Sequence, residues 1–279
     1  MNGVKAGIIG IGNMGSAHLR MITGGNIPDM TVTAVCDIDT EKLNAARNTY
    51  PALRVFEDYT DLLKNSDTNA VIIAVPHPLH AKIAIEAFKY GKHVLVEKPL
   101  DITVSAAEDL CAAAEKSGKV FAIMFNQRTN GLFRKAREIV KSGELGEIKR
   151  SVWIITNWYR TQSYYDSGEW RATWAGEGGG VLLNQAPHNL DIWQWICGKP
   201  SAVTAFCNVG KFHNIEVEDE ATIYAEYENG ATGVFITSTG DCPGTNRLEI
   251  TGTRGKIVLE NGLLKLWKLK EDERDICKN

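Results

Sequence analysis

The sequence predicts an α/β chain, with a doubly wound parallel sheet at the N-terminus followed by an α+β unit built on a large, mainly antiparallel open sheet. Three observations lead there. Short apolar runs alternate with helical segments over the first 125 residues. A glycine-rich turn, Gly10-Ile11-Gly12-Asn13-Met14-Gly15, joins the first run to the first helical segment. After residue 200 the helical spacing gives way to five apolar runs separated by turn signals.

Taken in order, Val4 to Ile9 reads as a strand, Gly15 to Thr23 as a helix, the β-branched Thr31 to Cys36 as a strand and Thr40 to Thr49 as a helix, which makes one βαβ unit. Ala70 to Val75 is a strand bounded by Pro76, His80 to Tyr90 a helix ended by Gly91, and His93 to Val96 a strand stopped by Pro99. Thr103 to Ser117 is a helix ended by Gly118, and Val120 to Phe125 a strand. The texture then changes, placing a boundary between a domain of residues 1–125 and one of residues 126–279. Leu132 to Lys141 reads as a helix, Ile148 to Thr156 as a strand, Asn157 to Gly180 as a long irregular loop, and Val181 to Ile196 as a helix. The closing runs are Ala202 to Val209, Ala221 to Tyr227, Gly233 to Ser238, Leu248 to Thr251 and Ile257 to Leu259. The turns Glu228-Asn229-Gly230 and Glu260-Asn261-Gly262 read as hairpins.

Composition narrows the function. The 279 residues are 44% hydrophobic and 23% charged, with a formal net charge of −3 and no basic run, so nucleic acid is not an expected partner. Six scattered cysteines without a C-x-x-C pair point to thiols in a reducing compartment, and hence to the cytoplasm. No stretch reads as a signal peptide or a membrane span.

The glycine turn carries the first chemistry. Glycines at 10, 12 and 15 permit a tight turn, a close backbone approach to a pyrophosphate and tight packing of the next helix, whose N-terminus then faces negative charge, and Asn13 and Met14 within the turn are cofactor-binding candidates with the glycines. Asp37 lies 22 residues after Gly15, at the end of the second strand, where a carboxylate accepts from ribose hydroxyls and repels a 2′-phosphate. NAD is therefore favoured over NADP. Glu97-Lys98-Pro99 closes another strand, at the sheet edge where open α/β sheets bind ligands. Alone, such a pair at a strand end is more often a solvated ion pair than an active-site group. Downstream, Gly178 to Asp191 includes Asn184 and His188, four apart and on one face if the segment is helical.

Together these segments resemble the Gfo/Idh/MocA family of glucose-fructose oxidoreductase and inositol dehydrogenase. The likeness covers Gly10 to Gly15, Asp37, Ala74-Val75-Pro76-His77-Pro78-Leu79-His80, Gly91 to Pro99 and the segment carrying His188. It implies a Rossmann domain, then a substrate domain whose sheet joins homodimers or homotetramers, and an NAD-dependent dehydrogenase acting on a secondary alcohol of a sugar, cyclitol or related small polyhydroxy compound. By the resemblance, Lys98 and His188 are catalytic. His188 takes the hydroxyl proton, and Lys98 positions the hydroxyl and stabilises its developing charge. Glu97, Lys98, Val75, Pro76, His77 and His80 join the glycine turn as cofactor-binding positions, with His80 also capping the helix it begins. Gln127 and Arg128 border the substrate.

Two departures stand out. Many relatives carry an Asp where this chain has Asn184, which hydrogen-bonds a hydroxyl but accepts no proton at neutral pH. The usual C-terminal segment is expected to be missing after Leu263 to Leu269. Relatives that cleave glycosides with tightly held NAD, and a non-catalytic dinucleotide sensor or scaffold, remain alternatives. In the long loop, Trp158, Tyr159, Tyr164, Tyr165, Trp170 and Trp174 with Arg160 and Arg171 suit either stacking on a sugar, as Trp170 and Arg171 would, or pinning the loop to the domain. His213 with Glu216, Glu218 and Asp219 reads as a solvated acidic turn, and no metal is expected.

Overall fold

The computed structural model describes residues 3–278. Contacts divide the chain into two compact units, one running through Met124 and the other starting at Phe125.

In the first unit, strands β1 (Val4–Ile9), β2 (Met30–Cys36), β3 (Arg54–Phe56), β4 (Ala70–Ile73), β5 (His93–Val96) and β6 (Phe121–Ile123) form one sheet in the order β3-β2-β1-β4-β5-β6. Every pairing in it is parallel. Between the strands run α1 (Asn13–Thr23), α2 (Thr40–Thr49), α3 (Tyr59–Asn65), α4 (His80–Lys89) and α5 (Val104–Ser117). Their ends follow from side-chain chemistry: Asp39, Asp58 and Thr103 accept from the first-turn N–H groups of α2, α3 and α5, and Gly118 ends α5 at a φ of +62°. Both faces of the sheet are covered. Val71, Ile73 and Val94 pack with Ala84, Ala87 and Leu110 on one face, and Ile8, Val35 and Ile72 with Leu19 and Leu43 on the other. The strand order reverses between β1 and β4, the switch point at which such sheets bind ligands.

The second unit contains α6 (Gly131–Lys141), β7 (Ile148–Ile155), α7 (Gln162–Tyr165), α8 (Pro187–Cys197), β8 (Ala202–Val209), β9 (Glu218–Glu226), β10 (Thr232–Ser238), β11 (Asn246–Gly252), β12 (Gly255–Glu260), β13 (Leu263–Lys268) and α9 (Glu273–Ile276). Its strands form one sheet, β13-β12-β11-β7-β10-β9-β8. The β7–β10 pairing is parallel and the others antiparallel, including the expected hairpins β9–β10 and β12–β13. One face is buried under α6 and α8, where Trp153, Phe235, Leu248 and Ile250 meet Ala136, Ile139, Ile192, Trp193 and Ile196. The Trp193 indole donates to buried Ser151 Oγ at 2.9 Å and stacks on Phe235, with ring centroids 5.5 Å apart.

Two expectations need correcting here. The helix expected from Val181 starts only at Pro187, whose fixed φ suits the first helical position; residues 181–186 are turns, so Asn184 and His188 do not share a helix face. His213 is not in a solvated turn. Its side chain is 6% exposed, it bonds Asp219 Oδ2 at 3.1 Å, and Asp219 is fully buried, accepting also from the N–H groups of Lys211, Phe212 and His213.

Candidate active site

In the first unit the cofactor candidates gather at the carboxyl ends of β1, β2, β4 and β5. Backbone bonds hold these ends together: Gly10 N–H donates to Cys36 O (2.8 Å), Ala74 N–H to Ile9 O (2.8 Å) and Glu97 N–H to Ile73 O (2.9 Å). Gly10 sits at a φ of +86°, and a Cβ on it would meet Ala74 O, so only glycine fits. Gly15 packs its bare Cα on the Gly10 carbonyl, whereas a Cβ on Gly12 would meet no protein atom within 4 Å. Gly12 faces a cleft of about 460 Å³ that Ile11, Asn13, Ser16, Arg20 and Lys42 also line. As the N-cap of α1 it offers no side chain to the first-turn N–H groups, leaving that end suited to an anion. Asp37 is tied to the same turn, with Oδ2 accepting from Ile11 N–H at 2.8 Å and Oδ1 from Asp39 N–H at 3.0 Å. Lys42 pairs with Asp39 at 3.0 Å. A carboxylate on the turn and a lysine already paired with an acid suit ribose hydroxyls better than a 2′-phosphate.

Lys98 follows β5, and its backbone N–H donates to Glu97 Oε2 at 3.3 Å. The other Glu97 oxygen meets His18 Nε2 of α1 at 2.8 Å, with both side chains nearly buried. Burial alone would raise the Glu97 carboxyl, but the His18 hydrogen bond and charge, with the Lys98 N–H and charge, bring it below the ordinary carboxylate value. His18 thus links the glycine turn's helix to the Lys98 loop. Sequence reasoning missed it, because the two residues lie far apart in the chain and a single His on an amphipathic helix carries no local signal.

His80 is corrected too. The N-cap of α4 is Leu79, and the His80 side chain does not cap the helix. The buried ring lies between Pro99 O (2.6 Å from Nδ1) and Val75 O (2.8 Å from Nε2), joining the two loops expected to flank a nicotinamide. His77 is also buried, 5.8 Å from His80 between ring centroids, in the 3₁₀ turn His77–Leu79 that follows Val75 and Pro76.

In the second unit, Gln127 and Arg128 lie in the 3₁₀ turn Asn126–Thr129. Arg128 grips Asp191 of α8 through two bonds, 2.8 and 2.6 Å, and lies over the Trp195 ring at 5.8 Å. Phe125 meets the His188 ring edge-to-face at 5.9 Å. The turn and the helix that carries His188 are therefore fastened together. In the long loop, Arg171 stacks on Trp170 (4.7 Å) and on Tyr164 (4.6 Å), whose hydroxyl it also bonds at 2.9 Å. These aromatics pin the loop by their contacts with its arginines. Asn184 donates its side-chain amide to Glu177, a buried carboxylate that also takes Ala172 N–H at 2.8 Å. Glu177 escaped the sequence reading, since a single acid among glycines belongs to no periodic pattern. Among the described residues, no group of three or more His, Cys, Asp or Glu side chains is placed to hold a metal, and no helix is long and apolar enough to cross a membrane.

Residues 4–125 match the family described as "Oxidoreductase family, NAD-binding Rossmann fold", and residues 133–258 match "GFO/IDH/MocA C-terminal domain". The chain belongs to the Gfo/Idh/MocA oxidoreductase family. It is 29% identical to the uncharacterized oxidoreductase YrbE of Bacillus subtilis (strain 168), over 92% of this chain and 74% of that protein. It is 24% identical to myo-inositol 2-dehydrogenase of Thermotoga maritima, over 92% and 75% of the two chains. Among solved structures it is similar to the WlbA dehydrogenase of Chromobacterium violaceum in complex with NADH and UDP-GlcNAcA, with a TM-score of 0.89 and 26% identity, covering 100% of this chain and 81% of that one. As a Gfo/Idh/MocA protein the chain is an NAD-dependent oxidoreductase with an N-terminal Rossmann fold. The residues of the first unit fit NAD: the left-handed Gly10, the open side of Gly12, the uncapped start of α1 and the turn-bound Asp37 form the cradle.

Proposed function

We propose that the protein is a dehydrogenase that oxidises a secondary alcohol of a sugar, cyclitol or related polyhydroxy compound. The observation that carries this reading is the Glu97–Lys98 loop at the ligand-binding edge of an NAD-type sheet, with its carboxylate locked by His18 and its backbone fastened by His80. The substrate class draws support from the relatives, one named for myo-inositol and one seen with UDP-GlcNAcA. Bound NAD would supply the hydride acceptor. Lys98 is assigned to hold the substrate hydroxyl and stabilise its oxygen as charge develops, and His188 to remove its proton. Asn184, with Gln127 and Arg128 at the border, is assigned to the neighbouring hydroxyls, and Trp170 and Arg171 to the sugar face. The 1–125 and 126–279 portions correspond to cofactor and substrate halves.

The open face of the second sheet supports self-association into a homodimer or homotetramer. Register places Phe206, Thr222, Ile236 and Ile154 in one row across it and Thr204, Tyr224, Val234 and Val152 in the next; Phe206 is 71% and Tyr224 41% exposed.

The test is calorimetric titration with NAD and NADP, followed by a polyol screen for NAD reduction. Tighter binding of NAD is expected, with Lys98→Ala and His188→Ala lowering kcat by roughly 10²–10⁴-fold and His188→Ala leaving NAD affinity unchanged. Either variant retaining most of the wild-type kcat refutes its assigned role.

A further inference from the structure

The pyrophosphate of a dinucleotide is anionic, so the charges on the walls of the cleft beside Gly12 bear on how it is held. Two cations line that cleft, one from each of the helices that flank it. Lys42, in the first turn of α2, lies 3.0 Å from Asp39 Oδ2 and is neutralised there. Arg20, in the last turn of α1, is exposed and pairs with no acid among the described residues.

The sequence of α1 puts Arg20 on the cleft side. Gly15, Leu19 and Ile22 form its buried face, whereas Asn13, Ser16 and Arg20 follow i, i+3, i+7 spacing along another, and all three line the cleft. Ser16 Oγ donates to Ile11 O at 2.8 Å, which leaves Arg20 as the charged member of that row. Arg20 lies seven positions beyond Asn13, about 10 Å of axis at ~1.5 Å per residue. Long side chains on a helix lean toward its N-terminus, over the turn before their own. The guanidinium is thus carried back toward the start of α1, where first-turn N–H groups without a side-chain cap open on the same cleft.

We infer that Arg20 is a cofactor-recognition residue, its guanidinium closing on a pyrophosphate oxygen of NAD at the start of α1. Guanidinium and helix N-terminus then act together, one through a charged fork of donors and the other through backbone N–H groups. A 2′-phosphate is the competing ligand for such a cation. Its place is on the ribose side, where Asp37 is fixed by the Ile11 and Asp39 N–H groups and Asp39 holds Lys42, and Arg20 belongs to the opposite helix. The inference rests on the placement of the pyrophosphate in this cleft, given above.

The experiment is calorimetric titration of the full chain with NAD, NADP and ADP, with adenosine measured by competition against NAD, on the wild type, Arg20→Ala and Arg20→Lys. Arg20→Ala should weaken NAD, NADP and ADP alike, by about fivefold or more, and leave adenosine, which has no phosphate, unchanged. Arg20→Lys keeps the charge without the fork and should fall between the two. Raising NaCl from about 0.1 M to about 1 M shortens the screening length from about 10 Å to about 3 Å, so wild-type affinity for NAD should fall more steeply with salt than that of Arg20→Ala. Without cofactor, the melting temperature of Arg20→Ala should stay within about 2 °C of wild type, because the side chain is exposed. NAD affinity unchanged in Arg20→Ala, with or without a lower melting temperature, leaves Arg20 a helix-end charge and overturns the proposal. A selective loss of NADP would assign the guanidinium to a 2′-phosphate, and an equal loss of adenosine to the base; either overturns it as well. Gly12→Ala separates this failure from that of the cleft itself. If Gly12→Ala also binds NAD as the wild type does, the pyrophosphate lies elsewhere; if it loses NAD while Arg20→Ala does not, the role of Arg20 alone is refuted.

Discussion

Two glycines in the same turn should fail in different ways when each is changed to alanine. On Gly15 the added Cβ would lie 1.8 Å from the Gly10 carbonyl oxygen. A carbon and a carbonyl oxygen rest at about 3.3–3.6 Å, so α1 and the turn must separate by roughly 1.5 Å. Because the obstacle is backbone, the cost sits at the upper end of overpacking, about 3 kcal/mol, even after the helix gains about 1 kcal/mol from losing a glycine. At roughly 2–4 °C per kcal/mol, the first unit should melt about 6–12 °C lower, and NAD binding should be lost with the turn's geometry. On Gly12 the Cβ meets nothing within 4 Å, at a φ of −68° that any residue adopts. The only structural cost is a poorer N-cap, within about 1 kcal/mol, so the melting temperature should stay within about 4 °C. The methyl projects toward the cleft assigned to the pyrophosphate, and NAD affinity should fall at least tenfold, about 1.4 kcal/mol. Scanning fluorimetry and calorimetric titration on both variants provide the readouts. A Gly12→Ala protein that binds NAD as tightly as wild type would refute the placement of the pyrophosphate, and a Gly15→Ala protein with unchanged melting would refute the packing argument.

Burial lowers the His80 imidazole below its ordinary 6.5, against the pull of the Pro99 and Val75 carbonyls and the Glu97 and Asp101 charges. The unfolded chain then binds a proton that the folded one refuses, so this contribution is complete above about pH 6.5 and is lost as the pH falls toward the folded value. Melting temperature should drop between pH 7 and pH 5, and His80→Gln should flatten that slope while lowering stability at pH 7; an undiminished slope counts against the assignment. Gly233→Ala would push a Cβ to 2.5 Å from the Trp193 ring, and should destabilise the second unit by about 1–3 kcal/mol in thermal melts, whereas Gly230→Ala, at a hairpin tip, would meet no neighbour but suffer its φ of +81° alone. Asp37→Ala removes both the Ile11 N–H acceptor and the charge that opposes a 2′-phosphate, so the ratio of NADP to NAD affinity should rise at least tenfold in a paired titration; an unchanged ratio places cofactor choice elsewhere.

How much of this was legible in the sequence depended on the range of the signals. Strands β1, β2 and β5 and helices α2 and α4 were visible because apolar runs, caps and stops lie within ten residues of one another. Strand β3 is three residues long and α3 seven, too short for a period to emerge, though Asp58 was a cap in plain view. β13 was announced only by the hairpin turn before it, because Lys265 and Lys268 and apolar residues on both faces blur its own pattern, as befits an edge strand. The start of α8 was misplaced although Pro187 marks a first helical position; the preceding Val-Leu-Leu run looked helical and is held instead by turn bonds. At the site, the glycine turn stood out because the backbone demands it locally, Asp37 by its spacing from that turn, and Lys98 by its place at a strand end together with the family resemblance. His18, Glu177 and the true role of His80 did not, because each acts on a partner defined only by the folded chain.

The parallel pairing of β7 with β10 has a consequence for how the chain is made. β7 lies at the centre of its sheet, yet both of its neighbours, β10 and β11, are encoded about 80–100 residues downstream. At a synthesis rate of about 5–20 residues per second, Trp153 and Ile155 leave the ribosome several seconds before the strands that will flank them. Helix α6, already made, offers Phe133, which meets the Trp153 ring at 5.7 Å, as an early partner. The nascent second unit must therefore wait as a helix and a lone strand, an interval in which its apolar edge is open to a chaperone or to another chain emerging from the same message.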